Sequence, residues 1–414
     1  MSYFNNVQIR AADSPSIDAF GRWRTSDVVT LFDSKQLYDT GSINWVTQIV
    51  GNGTASWVPQ SVMVKMTVTG SNSSVIRQTR RRFNYQPGKS QLIVCTGNFG
   101  AHDHSSMIER IGYFDQSDGL FFELSGSTFR TGLRNSGVTT YTSQSAWNLD
   151  VFDGTGPSGN KLILSASQIY FMDFEWLGVG RARYGIYQGG IPYYVHQITN
   201  INALNESVNV YIDTPNLPVR YEIISSASVA SGSLNHICSA VMSEGGVGNT
   251  GPVRSIDYPG FGTSSVPPLS QSLVMAIRLK TSSLSSTVRP NRLYIDTIGG
   301  LQHYKWAVLL NPITTSLSVW TDVQDSSVQW NTGSYSGSTL ITSDGFKLAS
   351  GYVDAVNKSV DFPLTFDQSV GLGSTVDGVA DVLAVAVTNF TSGSAQNVPL
   401  SRSFRVSLGW QETV

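Results

Sequence analysis

The sequence predicts an all-β protein: two β-sandwich or jelly-roll-like domains preceded by an extended N-terminal arm. Three observations predict it. Short runs rich in β-branched and aromatic residues recur from residue 43 to the end, separated by Gly, Pro, Asn and Asp turn signals. No apolar pattern of helical period persists beyond about two turns. Charged residues make up 14% of the chain against the ~25% usual for globular proteins, and Ser, Thr, Asn and Gly take their place.

A length of 414 residues exceeds one typical core and points to two domains of about 200 residues each. The 40% hydrophobic content is enough to pack both. Surfaces made soluble by hydroxyls and amides are typical of β-rich extracellular and virion proteins. The net charge of −2 supplies no global attraction to nucleic acid or to an acidic membrane, so neither is expected as a partner.

Residues 1–40 read as a docking arm. Phe4, Phe20, Trp23, Leu31, Phe32 and Leu37 accompany Arg10, Arg22 and Arg24 without a period that could bury them. Aromatic residues flanked by arginine are enriched at interface anchors. Phe20, Arg22 and Trp23 are therefore expected to dock onto a neighbouring subunit or particle, the alternative being a tail folded back on its own domain. The start lacks the basic and apolar stretches of a secretory signal, and no apolar run approaches the ~18 residues of a membrane span. Synthesis in a cytoplasm and delivery through assembly and lysis is the matching expectation.

The first domain is expected at 41–228. Strand signals lie at 43–50, 55–58, 61–68 and 74–85, with Asn52-Gly53 as an early turn. Gln86-Pro87-Gly88-Lys89 has the form of a type II turn, Pro fixing one φ and Gly taking the positive one. Further runs at 91–96, 108–114 and 120–124 follow, the last two joined through Asp118-Gly119. The domain is organised around an antiparallel meander: 169–177, then 181–187, then Gly189-Gly190, then 191–198. Alternation in its first run puts Tyr170, Met172, Phe174 and Trp176 on a core face, and Ile169, Phe171, Asp173, Glu175 and Leu177 on the other.

Residues 229–270, rich in Gly, Ser and Pro, read as a linker. The second β-sandwich is expected at 271–414. Its run at 382–387, Val-Leu-Ala-Val-Ala-Val, is apolar on both faces and suits a strand covered on both sides or a subunit interface. That run and the sparse charge suggest a homo-oligomer, with a trimer as the working expectation.

Several constellations could carry chemistry. Asp173 and Glu175 have the spacing that some β-sandwich glycosidases use for an acid and a nucleophile. A third acid in register is missing, since Phe171 and Leu177 flank the pair, so hydrogen bonding to Arg181 or Arg183 across the turn is preferred. Asp115 with Asp118, and Asp150 with Asp153, could hold calcium but read better as turn chemistry. His102 and His104 flank Asp103 without a further ligand nearby. Cys95 and Cys238 read as buried free thiols. No Gly-x-Ser-x-Gly elbow and no phosphate loop is present. No catalytic residue, cofactor or metal is assigned.

Arg77-Gln-Thr-Arg-Arg-Arg-Phe83 is the dense basic run. On a strand, Arg80 and Arg82 would share one face and serve an interface or a charge-guarded edge. Tyr193 and Tyr194, near His196, could stack on a sugar, with core packing of at least one as the competing reading.

Six blocks resemble a family of tailed-bacteriophage virion structural proteins, common in aquatic phages and largely uncharacterised in function. They are Asp18-Ala-Phe-Gly-Arg-Trp-Arg-Thr-Ser26, Leu31-Phe-Asp-Ser-Lys-Gln-Leu-Tyr-Asp39 and Phe83-Asn-Tyr-Gln-Pro-Gly-Lys-Ser-Gln91, then Arg110-Ile-Gly-Tyr-Phe-Asp115, Phe174-Glu-Trp-Leu-Gly-Val-Gly-Arg181 and Thr214-Pro-Asn-Leu-Pro-Val-Arg-Tyr-Glu222. The resemblance covers most of 18–245, and 270–414 more loosely. It implies a component of the virion, head- or tail-associated, and assigns no catalytic residue; the chain is read as a non-enzymatic structural protein with itself and other virion proteins as partners. A receptor- or glycan-binding fibre or spike, engaging a host-surface glycan, is the alternative. A double jelly-roll capsid protein and a glycoside hydrolase follow.

Overall fold

A computed structural model describes residues 17–19, 23, 28–100, 106–176, 180–199, 210–226, 231–245, 251–258, 265–266, 270–297, 303–317, 319–332, 339–354, 358–364, 370–389, 398–399 and 405–413. The chain is all-β. Among the described residues its helical turns are the two three-residue 3-10 turns Gln144–Ala146 and Thr281–Ser283. Two compact units result, Met1–Thr79 with Tyr85–Gly248, and Arg80–Asn84 with Asn249–Val414.

In the first unit the strands in chain order are β1 (Val28–Lys35), β2 (Trp45–Val50), β3 (Gly53–Val58), β4 (Met63–Thr69) and β5 (Ser73–Thr79). After them come β6 (Gln91–Phe99), β7 (Met107–Phe114), β8 (Gly119–Ser125), β9 (Thr128–Asn135) and β10 (Val138–Ser143). The last five are β11 (Gln168–Phe174), β12 (Arg181–Gln188), β13 (Ile191–Thr199), β14 (Val219–Ser225) and β15 (Ser231–Glu244). One sheet runs β13-β12-β11-β6-β15-β4-β3, with β1 also on β15; the other runs β10-β9-β8-β7-β14-β5-β2. All their pairings are antiparallel.

The two sheets face each other across an aromatic layer. Phe99 and Tyr170 of one lie edge-on at 5.4 Å, and Phe122 of the other meets Tyr184 at 5.5 Å. Alternating inward residues from both sheets therefore build one core, the arrangement of a β-sandwich. The meander forms as the glycines require. Gly189 and Gly190 both take positive φ, and Gln188 pairs with Ile191 across a two-residue loop. Lys89 N–H likewise closes on the Gln86 carbonyl at 3.1 Å, with Gly88 at φ +82°.

The second unit is also a sandwich. A four-stranded sheet orders Val253–Tyr258, Arg405–Thr413, Thr287–Thr297 and Lys358–Pro363. A six-stranded sheet orders Thr321–Asp322, Val328–Asn331, Gln271–Leu279, Val382–Asn389, His303–Leu310 and Phe346–Asp354. Ile256, Leu293, Leu408 and Trp410 from the first pack with Met275, Ile277, Val308 and Val385 from the second in one cluster.

Several boundaries differ from the sequence reading, each for a physical reason. The expected linker at 229–270 contains β15, a 14-residue strand central to its sheet. Small polar residues hid it, because its buried positions from Leu234 onward include His236, Ser239 and Ser243, and a bulge after His236 breaks the alternation. Arm residues 28–35 are not free chain but β1, paired along Cys238–Glu244 of β15, with Leu31 and Phe32 buried. The early turn sits at Gly51-Asn52, and the strands it joins enter different sheets. Arg80–Asn84 is not the end of a strand; β5 stops at Thr79. The run at 382–387 is covered on both faces by its own unit: Leu383, Val385 and Val387 enter the main cluster, while Ala384 packs with Leu273 and Trp320, and Ala386 with Ala307 and Ile341. Its apolar second face thus needs no sister subunit, which removes that support for a trimer.

Candidate functional site

The first unit concentrates its charge on buried positions. Asp173, on the second face of β11, has no exposed surface. Its carboxylate accepts hydrogen bonds from Ser90, from Arg183 and from the Tyr194 hydroxyl, the last at 3.0 Å. Register explains the pair, since Asp173 lies directly opposite Arg183 on β12. Arg183 reaches further, donating to the Ile17 carbonyl at 2.8 Å. Arg181, two residues earlier on the same face, donates to the Ala19 and Asp18 carbonyls at 2.8 and 3.2 Å. Ile17, Asp18 and Ala19 are buried, so this part of the arm lies on its own unit.

That geometry decides the acid pair. A substrate cannot reach a carboxylate without exposed surface, and three donors already occupy it. Glu175 is also buried; its backbone N–H donates to the Arg181 carbonyl at 3.0 Å, and its carbonyl accepts from Tyr211. The pairing of Asp173 with Arg183 is the one expected across the turn. Tyr194 is a core residue: its ring lies 4.2 Å from the Arg183 guanidinium and 5.2 Å from the Phe171 ring. It is therefore lost to an exposed stacking pair. Tyr193 is half-buried against Phe152 at 5.7 Å.

A second buried assembly was not visible as a unit in the sequence. Cross-strand register aligns Arg130 of β9, Glu123 of β8, Arg110 of β7 and Glu222 of β14 in one row. Charges alternate along it. Arg110 Nε donates to Glu123 at 2.6 Å and its Nη1 to Glu222, while Arg130 Nε meets the other Glu123 oxygen at 2.7 Å. Arg220 adds a bridge to Glu222 at 2.5 Å. The burial of Glu222 favours its neutral form, but Arg220 and Arg110 outweigh that and hold it below the usual carboxylate range. The signal lay in Glu109-Arg110 and Arg220-Tyr-Glu222, yet only register could show that these strands are neighbours.

Between the sheets lies a third polar group. Arg77 is buried with no carboxylate hydrogen-bonded to it among the described residues: it donates to His236 Nδ1 at 3.0 Å, Thr47 Oγ1 at 3.1 Å, Gln36 Oε1 at 3.2 Å and the Thr40 carbonyl. Burial pushes its guanidinium down to about 10. His236 stacks on Tyr221 at 4.1 Å, and burial first, then Arg77, keeps it well below the usual histidine range.

Five of the six sequence blocks quoted above interlock here. Tyr113 donates to the Pro215 carbonyl at 3.0 Å and accepts from Leu217 N–H at 3.1 Å and from Gln91 at 3.3 Å. Tyr85 N–H donates to Asn216 at 2.9 Å, and its ring stacks on Phe174 at 5.7 Å. Ser90 bonds Asp173, and Arg181 holds Asp18 and Ala19. Five blocks, from residues 18, 83, 110, 174 and 214 onward, thus meet in one continuous set of contacts.

Other sequence candidates fall elsewhere. Asp115 caps Ser117 and Asp118 N–H at 2.7 and 2.9 Å, Asp150 caps Phe152 and Ser158 N–H, each at 2.9 Å, and Asp153 caps Thr155. All are turn chemistry. Among the described residues no group of three or more His, Cys, Asp or Glu is placed to hold a metal. Cys95 is buried and Cys238 half-buried, both free; burial pushes the Cys95 thiol up to about 12. Arg80 pairs with Asp381 at 3.0 Å within the second unit and lies over Phe346, and Arg82 is half-buried. Trp23 is 57% exposed. Phe20, Arg22, His102 and His104 lie outside the described residues.

No family model matches the chain, and no curated protein does either. Among solved structures, a protein of unknown function from Shewanella oneidensis MR-1 matches at 12% identity over 51% of this chain and 85% of its own, with a TM-score of 0.34. A legume lectin-like domain from Entamoeba histolytica matches at 11% identity over 54% of this chain and 100% of its own, with a TM-score of 0.33. Peanut lectin in complex with a 9mer peptide matches at 11% identity, covering 52% and 98%, at 0.33.

Proposed function

We propose that this chain is a non-enzymatic structural component of a bacteriophage virion. One observation carries the reading: the blocks that resemble phage virion proteins spend their polar groups on one another. Arg181 bonds the carbonyls of Asp18 and Ala19, Tyr85 bonds Asn216, and Tyr113 bonds Pro215 and Gln91. A catalytic site needs groups within reach of substrate. These groups instead hold a framework, which is what a particle subunit requires. Trp23, more than half exposed beside the anchored residues 17–19, is, with Tyr38, an exposed aromatic of the arm placed to face a neighbour.

The test is the protein content of purified particles from the phage that encodes the chain. Quantitative mass spectrometry should find the protein at a fixed, near-integer ratio to the major structural protein. A Trp23→Ser variant should fold normally and be depleted from particles. Absence of the wild-type protein from purified particles overturns the reading; wild-type occupancy of Trp23→Ser overturns the docking role.

A further inference from the structure

The four-stranded sheet of the second unit carries a groove of about 420 Å³. That volume falls within the range of about 300–1,000 Å³ occupied by small-molecule sites. Its shape follows from register. One row across three strands is Asp257, Ser407 and Tyr294; the next is Ser255, Gly409 and Arg292. Small residues thus floor a trough on the central strand, with Asp257 at one wall and Tyr294 and Arg292 at the other. Gly409 is part of the shape, because a Cβ there would come within 3.0 Å of Asn291 Oδ1 and 3.4 Å of the Arg292 Cβ. Asn291 is itself the extra residue of a bulge between Pro290 and Arg292. Bulges of this kind re-aim a side chain, here into the trough.

The chemistry of the lining selects a ligand class. Arg292 is neutralised by Asp361 through two hydrogen bonds of 2.9 and 2.7 Å. The Arg254 guanidinium is turned to the Asp325 carbonyl at 2.6 Å. Asp257, Asn291, Tyr294 and Ser407 make no side-chain hydrogen bond among the described residues, in contrast to the committed carboxylates of the first unit. The trough therefore offers an acceptor carboxylate, an amide that both donates and accepts, hydroxyls and one phenol ring. An anion would meet Asp257, and a cation would meet two guanidinium groups. Vicinal hydroxyls need paired acceptors and donors, and the C–H face of a sugar ring needs an aromatic surface.

We propose that this groove binds neutral saccharides through Asp257, Asn291 and Tyr294, over the floor made by Ser407 and Gly409. The site is independent of the virion reading, and it differs from the Tyr193 and Tyr194 pair suggested by the sequence.

Saturation-transfer NMR and calorimetric titration of the full chain against cellobiose, lactose, maltose and chitobiose test it. At least one sugar should bind with a Kd on the order of 0.1–10 mM. Asp257→Asn and Tyr294→Ala should each weaken it about tenfold or more. Ser407→Trp should fill the trough and abolish it, and Tyr193→Ala should leave it unchanged. Absence of binding by wild-type protein to all four sugars overturns the site. So does binding that survives Asp257→Asn and Tyr294→Ala in folded variants, or a preference for inorganic phosphate or sulfate.

Discussion

Replacing Asp173 by Asn removes one charge from a site without exposed surface and leaves Arg183 facing an amide. Both partners are fully buried, so solvent cannot compensate. Breaking such a pair costs about 3–5 kcal/mol. Arg183→Met should cost a similar amount, because Asp173 keeps Ser90 and Tyr194 but loses its counter-charge. The two changes break the same interaction, so the double variant should cost less than the sum by roughly 1–3 kcal/mol. In a unit of this size each kcal/mol moves the thermal midpoint by about 2–4 °C, which puts each single variant about 6–20 °C below wild type. Urea unfolding followed by tryptophan fluorescence measures the cycle. Arg183→Met also removes the bond to the Ile17 carbonyl, so tryptic cleavage after Arg22 and Arg24 should accelerate. Additivity within about 0.5 kcal/mol, or an unchanged cleavage rate, would refute the claim that this pair clamps the arm.

Two further outcomes are expected. In Gly132→Ala the new Cβ would lie 2.5 Å from Cε2 of Phe121, a fully buried ring. The variant should lose about 1–3 kcal/mol, part of it regained in Gly132→Ala with Phe121→Leu, as read by thermal unfolding; a neutral single variant would contradict the packing. Stability should also fall with acid in two stages. His236 is held below its unfolded pKa, so its contribution is complete above about pH 6.5 and declines as the unfolded chain takes up the proton below that. Glu222 is likewise depressed, and its contribution is present above about pH 4.3 and lost as pH falls through its lower folded value. The stability difference between wild type and Glu222→Gln should therefore be largest at neutral pH and shrink below about pH 4.3. A difference that does not change with pH would show that the Glu222 charge is not what the row uses.

Turn chemistry and alternation made much of the fold legible. Gln86-Pro-Gly-Lys89, Asp118-Gly119 and Gly189-Gly190 each demand one backbone geometry, and each turn forms where its residues stand. Tyr170, Met172 and Phe174 face the core for the same local reason. What local rules missed was partnership. Serine and glycine in β15 carry little strand propensity, and the strand exists because β6, β4 and β1 occupy its edges. Phe171 looked like an outward residue of a half-exposed strand; instead it crosses to Gly185, where a Cβ would overlap its ring, and it is closed over by Tyr187 and Tyr194. Arg110, Glu123 and Arg130 sit on consecutive strands and Glu222 far along the chain, and they become one row only through three strand registers.

That row changes the meaning of the low charge content. A chain with 14% charged residues still places Arg77, Glu109, Arg110, Glu123, Asp173, Arg183, Arg220 and Glu222 inside its first unit. A buried charge is tolerable only when paired or fully hydrogen-bonded, and each added pair constrains which strands can be neighbours. Like charges brought opposite by a one-residue slip would repel, and the same slip would turn Tyr113 and Phe122 out of the core. Charge in this unit therefore specifies strand order and register from within. Sparse charge leaves much of the outer surface to hydroxyls and amides, whose contacts with neighbours are largely insensitive to salt. In the second unit, Asp257 stands apart from this use: it lies exposed at the wall of a groove, without an ion-pair partner among the described residues. A carboxylate that stabilises no register is available to a ligand.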